Sequence, residues 1–322
     1  MIVVFGSNVL DLFFDLADLP PRDTATHLES HVEASGGKGA NQAVAAARAG
    51  AEVRFFGAVG DGGHGRQMYK NLANNKVDVS GLEVLENVPS GLAAIFVDDK
   101  DGTHKVVVSQ GANKRARQAS IPDKLLGKNT IVLVQGELNI AETAALVNRA
   151  RKAGARSVMN FAPAEATLTE EFLRDLDIMI VNEHEAELLG KQHNIDAADK
   201  FSFVSTLYNK FNLTTIVTLG PDGAVCCGAD GLMTVTPLRI DPVDTIGAGD
   251  AFVGYLCASL DKGLPMSDAL RHAAVAGSLA CTKMGAQVAI PHLHEIPSYL
   301  DQVQVAGGTA ADLPQASLAL SS

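Results

Sequence analysis

Residues 243–252 read Val243-Asp244-Thr245-Ile246-Gly247-Ala248-Gly249-Asp250-Ala251-Phe252, an acid set directly after a glycine turn and directly before an apolar run. From Ala251 onward the apolar positions Phe252, Val253, Tyr255, Leu256 and Leu260 predict a helix. The backbone N–H groups of Gly247, Ala248 and Gly249 then lie at its N-terminus, without partners inside the helix and at the positive end of its dipole. That arrangement is an anion site. Asp250, held beside it, is placed to take a proton from an attacking hydroxyl while the amides hold phosphate oxygens in line. The plainer reading of the same residues is a capping acid after a glycine turn.

Outward from this stretch, buried-type apolar runs alternate with helical patterns. Strands are expected near 2–5, 53–59, 131–135, 157–160, 178–182 and 215–219, and helices near 40–49, 65–74, 141–153, 197–211, 248–261, 266–284 and 294–300. Such alternation predicts an α/β fold with a mostly parallel sheet covered by helices on both faces. Residues 11–34 and 89–110 break the rhythm: Leu92, Ala94 and Phe96 alternate against Val106 and Val108 with no helix between, which predicts a small antiparallel sheet. Residues 305–322 are rich in Gly, Ala, Ser and Pro and read as a disordered tail.

A second glycine-rich stretch, Gly36-Gly37-Lys38-Gly39-Ala40-Asn41-Gln42-Ala43, opens another helix, with Lys38 and Asn41 on one face. Fixed donors and acceptors of this kind suit a neutral polyol, because an unmatched buried hydroxyl costs about 1–3 kcal/mol. Together with the 243–252 stretch it resembles the two signature regions of the ribokinase-like (phosphofructokinase B) carbohydrate kinase family. The resemblance continues in the family's order through Gly60-Asp61, Ser90-Gly91, Gly111-Ala112-Asn113, Asn160-Phe161-Ala162-Pro163-Ala164, Asn182-Glu183-His184-Glu185, Thr218-Leu219-Gly220 and Gly285-Ala286-Gln287, over residues 2–303. It implies a three-layer sandwich in which 1–10, 35–88 and 111–304 form the α/β kinase domain, and 11–34 and 89–110 a β lid over the sugar.

The resemblance also implies roles. Asp250 is the base and Gly247, Ala248 and Gly249 the anion hole; Asp11, Gly37, Lys38, Gly39, Asn41 and Glu137 hold the sugar. Asn182, Gly249 and the turn Thr218, Leu219, Gly220, Pro221, Asp222, Gly223 face ATP, and Glu185 acts on Mg²⁺ through water. Mg²⁺ keeps several waters, so a sparse carboxylate site is reasonable. A monovalent cation, K⁺, falls to Asp244, Ile246, Ala280, Lys283, Gly285 and Ala289, mostly through backbone carbonyls, which tolerate Lys283 and Ala289 where the family has Arg and Ser. Two departures bear on specificity. In Gly6-Ser7-Asn8-Val9-Leu10-Asp11 the family's Asn falls on Val9, and the polar residue beside adenine falls on Ala274.

Of 322 residues, 26 are basic and 37 acidic, a net charge of −11, and no Lys/Arg stripe is present. Nucleic acid is therefore not an expected partner. Cys226, Cys227, Cys257 and Cys281 form no Cys-x-x-Cys and fit a reducing cytoplasm. Neither a leader nor an apolar run of membrane length is read. Gly60-Asp61-Gly62-Gly63-His64-Gly65 matches a dinucleotide fingerprint, but it follows the second strand of the main sheet with no separate substrate half after it, and reads as a loop. No Walker lysine motif occurs. His292 and His294 lack a third ligand and read as surface residues.

The expected activity is ATP-dependent phosphorylation of a primary hydroxyl on a small sugar, D-ribose first. A nucleoside kinase of the same family and a non-catalytic sugar sensor on the same fold are the alternatives, and a lid edge left open would suit a homodimer.

Overall fold

The structure, a computed structural model, describes residues 1–16, 23–28, 30–97 and 104–307. Its strands are β1 (Ile2–Phe5), β2 (Val9–Asp15), β3 (Val32–Gly36), β4 (Val53–Gly60), β5 (Asp78–Leu85), β6 (Gly91–Val97), β7 (His104–Ser109), β8 (Ile131–Gln135), β9 (Arg156–Asn160), β10 (Ile178–Asn182), β11 (Thr214–Thr218), β12 (Ala224–Gly228), β13 (Gly231–Val235) and β14 (Val305–Gly307). Its helices are α1 (Lys38–Arg48), α2 (Gly63–Asn74), α3 (Ile140–Ala153), α4 (Glu170–Asp175), α5 (Glu183–His193), α6 (Lys200–Phe211), α7 (Ala248–Asp261), α8 (Met266–Ala280) and α9 (Ala286–Ala289).

Ten strands form one sheet in the order β14-β13-β12-β11-β10-β9-β8-β1-β4-β5, parallel from β5 to β11 and antiparallel beyond. Alternate side chains of each strand enter opposite layers. Ile2 and Val4 join α1, α2, α7 and α8 in one core, whereas Val3 and Phe5 join α3, α4, α5 and α6 in the other. The expected covered parallel sheet is therefore present. The chain runs from β1 outward through β4 to β5, then returns to the other side of β1 for β8 to β11. The strand order thus reverses at β1 and β8, and in open α/β sheets a ligand crevice opens beyond the carboxyl ends of strands at such a point.

The second sheet has the order β3-β2-β6-β7, with antiparallel outer pairs and a parallel central pair. Its strands occupy the two stretches that break the βα rhythm, except that β2 begins two residues earlier, at Val9, and β3 runs two residues further, to Gly36. Residues 17–22, 29 and 98–103 of those stretches lie outside the described residues.

Several boundaries differ from expectation. The tail from 305 is not structureless at its start, because Val305–Gly307 pairs with Met233–Val235; residues 308–322 lie outside the described residues. The helix expected over 266–284 stops at Ala280, where the Cys281 carbonyl turns to the 243–244 loop and accepts from Val243 N–H at 2.8 Å. The helix expected from 197 begins at Lys200, where the Asp199 side chain caps it. Residues 294–300 form two short 3₁₀ turns, Leu293–Glu295 and Pro297–Gln302. Sequence periodicity missed β5, a half-exposed edge strand, and the β12–β13 hairpin.

Candidate active site

The crevice at the strand-order reversal is lined by the residues that follow β1 and β8. Ser7 Oγ donates to Glu137 Oε2 across it, and the Lys38 backbone N–H donates to the same oxygen at 2.8 Å. Gly39 N–H reaches Ser7 Oγ at 3.5 Å and Ala40 N–H reaches the Ser7 carbonyl at 3.0 Å. The start of α1 is therefore docked on protein acceptors. Two glycines permit the approach: a Cβ on Gly39 would fall 2.6 Å from Gly6 Cα.

The start of α7 is different. Gly247 occupies the N-cap at φ +79°, where a Cβ would strike Ala286 Cα at 2.9 Å, and no side chain caps the helix. Ala248 N–H, expected in the anion hole, donates instead to the Thr245 carbonyl at 3.3 Å, whereas among the described residues the N–H groups of Gly249 and Asp250 meet no protein acceptor, and a Cβ on Gly249 would meet nothing within 4 Å. Of the glycine-led starts of α1 and α7, that of α7 is thus the one left open to an external anion.

Helix α7 is buried along nearly its whole length against α1 and α8, and Gly254 sets the spacing: a Cβ there would fall 2.4 Å from Ala45 Cβ and 2.7 Å from the Gln42 carbonyl. This approach brings Asp250, 6% exposed, onto α1. Asn41 Nδ2 donates to Asp250 Oδ2 at 2.8 Å and Gln42 Nε2 to Asp250 Oδ1 at 2.9 Å. Asn41, expected at the sugar, has its other amide end engaged as well, accepting from Gln287 Nε2 at 2.9 Å.

Charge binds the cluster together. Lys38 has its ammonium pKa raised, chiefly by Asp250 and further by Glu137 and Glu185, against the opposing effect of burial. Burial, Glu137 and Asp250 push Asp11 up to about 7. Glu137 is also raised, mainly by burial, although its bonds from Ser7 and Lys38 and the Lys38 charge oppose this. Glu185 is raised by burial as well, opposed by the Asn182 N–H and by Lys38. One cation among buried carboxylates beside an open helix terminus suits a ligand that brings hydroxyl donors and phosphate charge.

Asp11 lies on the small sheet, in register with Ala34 on β3 and Ala93 on β6. On the same face Val9, Ala93, Ile95 and Phe13 pack together. Val9 shares this face through the strand period, as the extended reading of 9–11 requires. Asn8 does not compensate. Its backbone is clamped by Asn113, at 3.0 Å from Asn8 N–H to Asn113 Oδ1 and 2.9 Å from Asn113 Nδ2 to the Asn8 carbonyl, while its own amide is buried without a partner.

On the other side of Asp250, Asn182 ends β10 and begins α5. Asn182 Oδ1 accepts from Glu185 N–H and Glu185 Oε2 from Asn182 N–H, each at 2.8 Å, a reciprocal cap that fixes both side chains. Asn182 stands in register with Thr218, so the turn 218–223 lies beside it, closed by a 2.8 Å bond from Leu219 N–H to the Gly223 carbonyl. Asp244 ties two loops: Oδ1 accepts from Ile246 N–H at 2.9 Å and Oδ2 from Gly285 N–H. Lys283 turns its ammonium toward Glu295, 3.5 Å away, which leaves only its backbone for the cation role. Ala280 and Ala289 are fully buried. Gly60 and Gly65 serve a close backbone contact, since a Cβ on Gly65 would fall 1.8 Å from the Gly60 carbonyl and one on Gly60 2.0 Å from that of Val88. His292 and His294 are exposed and stack on each other.

Sequence reasoning missed Ser7, Gln42, Gln135, Asn160 and Gln287 as site residues. The available signal was polarity in an apolar place: Gln42 is fully buried on an alanine-rich helix, and Gln135 ends a strand that is otherwise Ile-Val-Leu-Val.

The sequence profile of the pfkB family carbohydrate kinase matches residues 1–293. The chain is 31% identical to a ribokinase of Schizosaccharomyces pombe over 312 residues, 92% of this chain and 96% of that one. Among solved structures it resembles the ribokinase of Thermotoga maritima, with a TM-score of 0.85 and 25% identity over 93% of this chain and 99% of that one. It also resembles the ribokinase of Cryptococcus neoformans var. grubii in complex with ADP, with a TM-score of 0.77 and 30% identity over 92% and 98%.

Proposed function

The chain belongs to the pfkB family of carbohydrate kinases, and from that premise we propose that it transfers the γ-phosphoryl group of MgATP to the primary hydroxyl of a small sugar, D-ribose giving ribose 5-phosphate. The observation that carries this reading is the position of Asp250: a buried carboxylate in the first turn of an uncapped helix, within electrostatic reach of Lys38, Asp11, Glu137 and Glu185. Asp250 takes the hydroxyl proton as the oxygen attacks. The open amides of this first turn, those of Gly249 and Asp250, hold the charge that develops on the transferred group, and binding fixes both partners in line. Asp11, Lys38 and Glu137 orient the sugar, Gly37 and Gly39 let the chain come close to it, and the small sheet that carries Asp11 acts as a lid over it.

Asn182 and the 218–223 turn face the nucleotide. Glu185 is suited to a water-mediated contact with Mg²⁺, because its carboxylate is fixed by the Asn182 N–H and lies where burial disfavours its charge. Mg²⁺ neutralises phosphate charge when bound. Asp244 and the carbonyls of Ile246, Ala280, Lys283, Gly285 and Ala289 suit a monovalent cation such as K⁺, since Asp244 already draws together the two segments that would surround it.

Four free thiols, with Cys226 and Cys257 pushed up to about 12 by burial, fit a reducing cytoplasm. Among the described residues no helix is long and apolar enough to cross a membrane. A homodimer is favoured by edge strand β7, whose Val106, Val107 and Val108 are 53%, 64% and 52% exposed.

The test is ADP release from MgATP by the purified protein with D-ribose, 2-deoxy-D-ribose, hexoses and nucleosides. Selective turnover of ribose supports the reading. Turnover of nucleosides alone transfers the site to the second reading, which the apolar face around Val9 favours, and sugar binding without ADP release identifies a sensor.

A further inference from the structure

The two donors on Asp250 belong to longer amide chains whose direction is set by the carboxylate. An ionised carboxylate only accepts hydrogen bonds. Asn41 must therefore present its Nδ2 to Asp250, which turns Asn41 Oδ1 toward Gln287. Gln287 must then donate through Nε2, at 2.9 Å, and its Oε1 accepts from Asn71 Nδ2 at 2.5 Å. On the other branch Gln42 presents Nε2 to Asp250, with Asn160 Oδ1 sharing that nitrogen at 2.9 Å, and its Oε1 accepts from Gln135 Nε2 at 2.8 Å. This direction leaves Gln135 Oε1 over. That atom is buried and without a partner, and it lies where a Cβ on Gly6 would approach to 2.4 Å. A buried orphan carbonyl is unfavourable, and reversing the chain to satisfy it would turn the Gln42 carbonyl onto Asp250.

We propose that Gln287 and Gln42 are positioning residues that act through the polarity of these amide chains, holding Asp250 as an acceptor in one rotamer and committing the Asn41 donor to it. Gln287 is itself anchored, since Arg48 donates to the carbonyls of Gln287 and Ile290, each at 2.7 Å, and to Asn75 Oδ1. The short helix α9 is thereby joined to Asp250 through Gln287 and then Asn41. The inference rests on the kinase reading for its consequence in catalysis, whereas the direction of the chain stands on geometry alone.

The test compares Gln287→Glu with Gln287→Leu. Glutamate keeps the shape but loses the donor, so Asn41 turns over and points its carbonyl at Asp250; leucine removes the donor without inverting it. Expected is a kcat loss of about 100-fold for Gln287→Glu and about 10-fold for Gln287→Leu, at a KM for ATP within about threefold of wild type. A residue that only packs gives the opposite order, with the near-isosteric glutamate milder. That order, or kcat within about twofold of wild type for Gln287→Leu, overturns the proposal. If Gln287→Glu does not fold, Gln287→Leu decides alone. Side-chain amide hydrogen exchange, followed by NMR, reads the chain without turnover: the Asn41 and Gln42 amides are protected in the wild type, and Asn41 loses protection in Gln287→Leu. Fast exchange of both in the wild type contradicts the chain even if the enzyme is active, while absence of wild-type turnover with protected amides refutes the kinase reading and leaves the chain in place.

Discussion

Asn41 Nδ2 stands 2.8 Å from Asp250 Oδ2, and this bond joins the first turns of two helices that start more than two hundred residues apart. The glycine-led start of α1 is closed by Ser7 and Glu137, whereas the glycine-led start of α7 faces outward. On the proposed function a division of labour follows: α1 supplies donors to the proposed base and presents Lys38, and α7 carries that base and the proposed anion site.

Because Gly254 sets the distance between these helices, Gly254→Ala disturbs both stability and chemistry. Its Cβ would sit 2.4 Å from Ala45 Cβ and 2.7 Å from a backbone carbonyl. Alanine gains about 1 kcal/mol in helix propensity, but overpacking costs about 1–3 kcal/mol. A lower Tm together with a kcat reduced about tenfold or more is expected. An unchanged melting curve and unchanged kcat would show that the helices separate without consequence.

Asp11 makes the stability of the unliganded protein depend on pH. Its carboxyl is raised from 3.8 to about 7, first by burial and then by Glu137 and Asp250. Through that window the native protein keeps a proton that the unfolded chain has released, so stability falls as pH rises from about 4 to about 7 and the loss is complete above it. Asp11→Asn removes this contribution. The Tm of the variant relative to wild type is expected to be higher at pH 8 than at pH 4.5; a difference that does not change with pH would place Asp11 in water.

Asp244 should govern the response to monovalent cations. Its two oxygens gather Ile246 and Gly285, and Asp244→Ala frees both segments and removes the carboxylate from the proposed cation site. Turnover of the wild type is expected to rise when KCl replaces NaCl, and that of Asp244→Ala to be indifferent to the exchange. Retained K⁺ stimulation in the variant would move the cation elsewhere.

Much of this architecture was legible from the chain. The 248–261 helix was read to the residue because its apolar run is long and its glycine start unambiguous. The reversal of strand order was not, since periodicity does not say which strands are neighbours. For Asn182 a helix cap and a nucleotide ligand are compatible readings of the sequence, and the geometry shows that the cap with Glu185 is formed. Gln42, Gln135 and Gln287 lie far apart in sequence and acquire meaning only when folding brings their amides into line. Val9 was marked as a departure from the family, but the apolar company it keeps with Ala93, Ile95 and Phe13 needed the pairing of β2 with β6.

The central claim is that Asp250 is the base at the α7 anion site, and it is tested most directly by kcat for MgATP-dependent phosphorylation of D-ribose in wild type and Asp250→Asn. The account predicts a loss of about 10²–10⁴-fold, with the circular dichroism spectrum unchanged and ATP still bound. Turnover near that of the wild type in a folded Asp250→Asn protein would contradict it.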